Sequence, residues 1–233
     1  MPGIKGENGA NMKIKGLPLF LLLLVQITLS TNSYAAHPLI TDDAGTQGKG
    51  KFQVEVNCEI SRDKESEDYI TTKETGNEIA AIASYGLTDS MDIVLGLPYE
   101  QSKIKEDGET ISDEDGTGDM SVEIKWRFFE NDGLAFAFKP AITLPTGDEE
   151  KGLGNGKASY ALTFITSKEM EPWLFHVNIG YMRNEYKLEE DADASRKDLW
   201  HVSLASEFEA AGGLRIVANI GTERNPVKEL TSH

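Results

Sequence analysis

The chain has 233 residues, with 23 Lys and Arg against 39 Asp and Glu, and a formal charge of −16. That acidity excludes nucleic-acid binding through phosphate neutralisation. A single cysteine, Cys58, excludes an internal disulfide framework and a Cys-cluster zinc site. The length admits one or two ordinary domains or a single β-barrel.

Residues 1–35 read as an address. Lys13 and Lys15 form a basic region, residues 17–25 are an uncharged apolar run, and Ser33 and Ala35 supply small residues for cleavage. This is the pattern of a secretory signal peptide, and its apolar run is too short for a retained membrane helix. Met12 is the better start, which makes residues 1–11 a mis-called extension. The expected mature domain is 36–233.

From residue 52 onward the chain alternates. Phe52, Val54, Val56, Cys58 and Ile60 share one face, with Gln53, Glu55, Asn57 and Glu59 on the other. Stretches 79–85 and 91–99 repeat the pattern. The cleanest case is 120–128, where Met120, Val122, Ile124, Trp126 and Phe128 oppose Ser121, Glu123, Lys125 and Arg127. A strict period of two is a strand signal, because successive side chains point to opposite faces. Residues 134–144, 160–164, 173–181, 200–208 and 214–220 bring the total to nine predicted strands, with no amphipathic helix of useful length.

Short connections (87–90, 130–133, 168–172 and 210–213) alternate with long ones (63–76, 101–118, 145–156 and 187–197). An up-and-down meander then has its short turns at one end and its long loops at the other. That is the layout of outer-membrane barrels and not of a Greek-key sandwich. Aromatics near the strand ends, among them Tyr85, Tyr99, Trp126, Trp173, Tyr181 and Trp200, suit interfacial girdles. The expected fold is all-β, an antiparallel up-and-down transmembrane β-barrel of the outer-membrane type. A soluble periplasmic β-barrel or sandwich with its apolar faces turned inward remains the alternative.

Several segments read together resemble a known family. They are HPLITDDAGTQGKGKFQVE (37–55), YGLTDSMDIVLGLPYE (85–100), GTGDMSVEIKWRFFE (116–130), KPAITLPTGDEEKGLGNGKASYAL (139–162) and NIGTERNP (219–226). In order and spacing they resemble the bacterial outer-membrane family named for the MetA pathway of phenol degradation. The resemblance implies an outer-membrane barrel and, by genomic association, uptake of small aromatic compounds; it implies no site residues. The family continues with further strands and a terminal aromatic residue, whereas this sequence stops at Leu230-Thr231-Ser232-His233. A truncated product with an open strand edge is therefore expected.

Motif tests return little chemistry. The acidic stretch 105–119 fails the EF-hand template, since with Asp113 first and Gly118 sixth the twelfth residue is Ile124. It reads as a solvated loop, able at most to bridge lipopolysaccharide phosphates through divalent ions. Residues 152–157 are Gly-rich, but Lys151 and Ala158 stand where a P-loop needs Gly and Ser or Thr. His176 and His201, even with Ser159 or Ser203 in reach, do not fix a nucleophile, a base and an orienting acid. No cofactor, metal or catalytic residue is expected. Glu123, Lys125, Arg127, Lys139, His176, Asn178, His201 and Glu207 fall on the polar face. All eight are expected to line a lumen, and the charges Glu123, Lys125, Arg127, Lys139 and Glu207 are expected to pair with one another, setting ion selectivity if the lumen is open. The expected function is passive diffusion of small aromatic or hydrophobic compounds across the outer membrane. The expected partners are membrane lipid, lipopolysaccharide, small solutes and the barrel-assembly machinery. A structural or surface-interaction barrel with a plugged lumen is the rival reading.

Overall fold

The computed structural model describes residues 41–67, 70–211 and 214–228. The expected signal peptide and the final residues 230–233 lie outside them. Ten antiparallel strands run in chain order: β1 (Phe52–Glu67), β2 (Ile70–Thr88), β3 (Met91–Glu106), β4 (Glu109–Thr117), β5 (Met120–Asn131), β6 (Leu134–Leu144), β7 (Ser159–Met170), β8 (Trp173–Arg183), β9 (Asp198–Ala211) and β10 (Leu214–Glu223). Nine follow one path, β1-β2-β3-β5-β6-β7-β8-β9-β10, and β4 pairs only with β3. The sheet is a strongly curled half-barrel, the up-and-down architecture that the alternation predicts. Among the described residues β1 pairs only with β2 and β10 only with β9.

Local chemistry explains the turns. Asp107 and Gly108 (φ 47° and 93°), and Asp132 and Gly133 (φ 50° and 70°), place two consecutive residues at positive φ. Asp-Gly tolerates that conformation, and its twist matches the strands it joins. The first pair caps the β3–β4 hairpin and the second joins β5 to β6.

The long connections differ from expectation. Two of the four are not loops: β1 and β2 stay in register out to Glu67 and Ile70, and the acidic stretch folds back as β4 along β3. Cross-strand pairs hold this polar hairpin together, Lys103 with Asp113 and the Tyr99 hydroxyl with Asp115. The count of nine strands misses β4 because β4 has no apolar face and so gives no period-two hydrophobic signal. The other two long connections are loops carrying a 3-10 turn (Glu149–Lys151) and one short helix, α1 (Glu189–Ala194). In β5 the register slips between Arg127 and Phe129, so Phe128 and Phe129 are both exposed.

Burial runs opposite to that of a soluble domain. Ile179, Leu204, Leu162, Val54 and Trp200 are exposed, while Asp92, His176, Asn178 and Glu207 are each 2% exposed. Only six apolar residues are buried among the described residues, three of them alanines. Side chains on the concave face of a curled sheet converge and shield one another, so the buried polar set marks the concave face. The large apolar side chains stand on the convex face. Aromatic rings cluster there, with Phe128 5.1 Å from Phe138, and Trp173 4.7 Å from Phe208.

Candidate functional site

Residues 41–50 have no regular secondary structure, yet they are bonded across the concave face from β10 to β1. The Thr41 hydroxyl donates to Asn219 on β10 (2.9 Å), and the Ala44 N–H donates to the Ser167 hydroxyl on β7 (2.8 Å). The Gln47 N–H donates to the Asp92 carboxylate on β3 (2.9 Å), and the Gly50 N–H donates to the Gly86 carbonyl on β2 (2.8 Å). Gly86 permits this last approach, because a Cβ there would lie 1.9 Å from the Gly48 carbonyl oxygen. The small apolar cluster beneath the segment is Ala44, Ala137 and Ile165.

The centre of the contact is a charge cluster. Lys125 Nζ and Lys139 Nζ each lie 2.9 Å from an Asp42 carboxylate oxygen, one on Oδ1 and the other on Oδ2. Lys125 also reaches Asp43 (3.6 Å), and Lys139 reaches Glu123 (3.2 Å). Asn178, oriented to satisfy both groups, accepts from the Asp42 N–H at 2.6 Å and donates to its carbonyl at 2.9 Å. Burial by itself would raise the Asp42 pKa. The two ammonium groups outweigh it and hold the carboxyl well below its ordinary value of 3.8.

A second chain of polar contacts adjoins this cluster. Ser167 Oγ is 2.7 Å from His176 Nδ1, and His176 Nε2 is 3.3 Å from Glu207 Oε1. Arg215 meets the other Glu207 oxygen at 3.3 Å. A consistent proton order has Ser167 donating to Nδ1 and Nε2–H donating to Glu207. The sequence serine, histidine, acid is that of an activated serine, with the two ring nitrogens exchanged. Here, however, Ser167 is buried and its oxygen already accepts from Ala44. In this arrangement the chain anchors the segment.

The eight polar-face residues therefore divide. Glu123, Lys125, Lys139 and Asn178 gather at Asp42, and His176 and Glu207 join Ser167. Arg127 instead turns to the short-turn end, pairing with Glu130 (3.2 Å) and donating to the Asp89 carbonyl (3.0 Å). His201 stands over Gly180, where a Cβ would lie 1.9 Å from its ring. Of the five charges expected to pair with one another, Glu123, Lys125, Arg127, Lys139 and Glu207, only Glu123 and Lys139 do so directly; Glu207 meets His176 of the same polar face. The other partners are Asp42 and Asp43 from the segment, with Ser167, Arg215 and Glu130. Sequence reasoning missed Asp42, because a stretch without periodicity gives no face to assign. The available signal was its place inside the quoted motif at 37–55.

Comparison with known proteins follows from this geometry. Residues 35–225 match the family described as "Putative MetA-pathway of phenol degradation". The chain belongs to that family. No curated protein matches it closely enough to add a relative. The match to this phenol-degradation family begins before the inner segment and ends beyond β10, so the segment and the curled sheet both belong to the family region.

Proposed function

We propose that this chain is an outer-membrane β-barrel protein that lets small solutes pass along its polar concave face, with residues 41–50 as an internal plug and no catalytic role. One observation carries the reading, which is the inverted burial. Ile179, Leu162, Leu204 and Trp200 on the convex face are all exposed, whereas the concave face buries Asp92, His176, Asn178 and Glu207. Lipid is the solvent that accepts such an outer face, and strands paired into a barrel satisfy their backbone groups without water. The eleven residues of β8 rise about 36 Å. At a tilt of about 40° this covers a little under 30 Å, close to a hydrocarbon core. Aromatic rings at both ends, Trp173 and Phe208 near one and Tyr181 and Trp200 near the other, suit the two interfaces. The exit route through the inner membrane is a cleaved signal peptide, and the barrel-assembly machinery and lipopolysaccharide are the implied envelope partners. The solutes are small, aromatic or otherwise hydrophobic.

Fractionation of a Gram-negative host expressing the chain tests this, followed by gel mobility with and without heating. Recovery with the outer membrane and a heat-dependent shift support the reading; recovery as a soluble periplasmic protein overturns it. The bonded inner segment favours a second reading, a permanently plugged barrel with a surface role. Conductance in planar bilayers separates the two, since a permanent plug passes no current.

A further inference from the structure

The two lysines under the inner segment share one carboxylate, that of Asp42. Lys125 and Lys139 approach from neighbouring strands and bring their ammonium groups to the two oxygens of one carboxylate, at 2.9 Å each. The Lys125 side chain is 11% exposed and the Lys139 side chain 24%. A pair of cations this far from water needs an anion beside it. The occupant here is Asp42, which comes from a segment without helix or strand, held through Thr41 on one side and through Ala44, Gln47 and Gly50 on the other. If that segment lifts away, Asp42 and Asp43 leave together. Lys139 then keeps Glu123, and Lys125 loses both carboxylates with which it pairs among the described residues. The vacated position keeps two ammonium groups, of which only Lys139 retains an ion pair among the described residues, and faces Asn178, which has lost its Asp42 partners. Beside it, Ser203 Oγ and Asn219 Nδ2 are buried with no hydrogen-bond partner among the described residues. Ser203 lies opposite Asn178 in the register, and Asn219 holds Thr41.

We infer that Lys125 and Lys139 are the binding site for the carboxylate of a small organic acid, and that Asp42 occupies this site in cis as a tethered competitor. The inference rests on the solute-passing reading above and deepens it by naming the charge class of the solute. A solute carboxylate accepts from both ammonium groups in place of Asp42, and the Asn178 amide with the Ser203 and Asn219 groups meets its remaining polar atoms. Displacement of Asp42 frees the segment from its central anchor, which couples binding to opening. A neutral molecule of the same shape leaves the lysines with Asp42 and the segment in place. Besides Glu123, which already holds Lys139, Glu55 on β1 and Asp92 on β3 are rival carboxylates on the sheet that feel the charge of Lys125 without forming an ion pair with it among the described residues.

The test uses the full chain in detergent micelles, with benzoate as the probe and benzamide as its neutral counterpart. Benzoate affinity is measured calorimetrically for the wild type, for Asp42→Asn and for the double variant Lys125→Met/Lys139→Met. Removing the tethered competitor is expected to tighten benzoate binding about tenfold, with benzamide unchanged; the double variant is expected to lose benzoate binding. In the wild type, saturating benzoate is expected to speed amide exchange across residues 41–50. Equal or weaker binding by a folded Asp42→Asn variant overturns the inference. Benzamide binding as well as benzoate, or unchanged exchange in the wild type, overturns it too. Should Asp42→Asn not fold, the wild-type exchange experiment decides alone. A chain that fractionates with the outer membrane but fails these tests loses only the carboxylate site. A soluble chain that passes them loses only the membrane reading.

Discussion

Replacing Ile179 by Arg asks what the convex face touches. Ile179 is 55% exposed, midway along β8, with Phe164 of β7 and Val202 of β9 opposite it in the register. Its side chain points away from the inner segment, so the substitution breaks no ion pair or hydrogen bond. In water an exposed change of this kind stays within about 0.5 kcal/mol. At the middle of a bilayer an outward Arg costs about 2–4 kcal/mol, a shift of roughly 30- to 700-fold in the folding equilibrium. Leu214, 60% exposed at the first residue of β10, is the comparator, since near an interface the same change costs at most about 1 kcal/mol. Both variants and the parent would be unfolded in urea from lipid vesicles and followed by the fluorescence of Trp126, Trp173 and Trp200. All three indoles lie on the exposed face and report the loss of lipid contact. The expected order is parent, then Leu214→Arg slightly weaker, then Ile179→Arg much weaker. If both substitutions cost under about 0.5 kcal/mol, the convex face meets water and the argument from burial fails. If both cost the same larger amount, the depth reasoning fails.

Other consequences concern the inner segment. Lys139→Met leaves Glu123 unpaired and Asp42 with one partner. With these side chains partly exposed, about 1–3 kcal/mol of segment stability should be lost, less than for a fully buried pair, and read as faster proteolysis within 41–50. Because the Asp42 pKa is lowered on folding, its contribution is fully present above the ordinary value of 3.8 and is lost as pH falls through the folded value. Protection of residues 41–50 against exchange should therefore be the same at pH 7 and pH 5 and weaken only below the usual carboxylate range; loss by pH 5 would contradict the lysine clamp. Ser167→Ala removes the acceptor for the Ala44 N–H and the partner of His176 Nδ1, and should cost about 1–3 kcal/mol in urea titrations with the Ala44 amide exchanging faster. In Gly86→Ala the new methyl would meet the Gly48 carbonyl, which is backbone and cannot rotate aside. The expected result is release of the 48–51 turn from β2, seen as a new protease-sensitive site, where Gly221→Ala on β10, whose nearest new contact would be 3.2 Å away, would show none.

Much of the fold was legible because a strand writes its two faces into the sequence at a fixed period. Met120 to Trp126 alternate so strictly that strand type and the membership of each face follow without tertiary information. Asp132-Gly133 likewise marks its own hairpin. Where one face is not apolar the signal vanishes, and that is why β4 and the outer halves of β1 and β2 looked like loops. Their strand character comes from pairing with a neighbour and not from burial.

The polar face was legible residue by residue, but its partnerships were not. Periodicity places Lys125 and Lys139 on one face, and Glu123 with them. It cannot say that a stretch upstream of β1 crosses that face and offers Asp42 to both lysines. That contact joins residues 83 and 97 positions apart, and only the curl of the sheet brings them within 2.9 Å. The same holds for Ser167, whose role depends on Ala44 arriving 123 positions away in sequence. Local alternation is set by the geometry of the backbone and is readable from the chain alone. Which polar group finds which is set by how far the sheet bends and what lies in its hollow, and that only the tertiary structure decides.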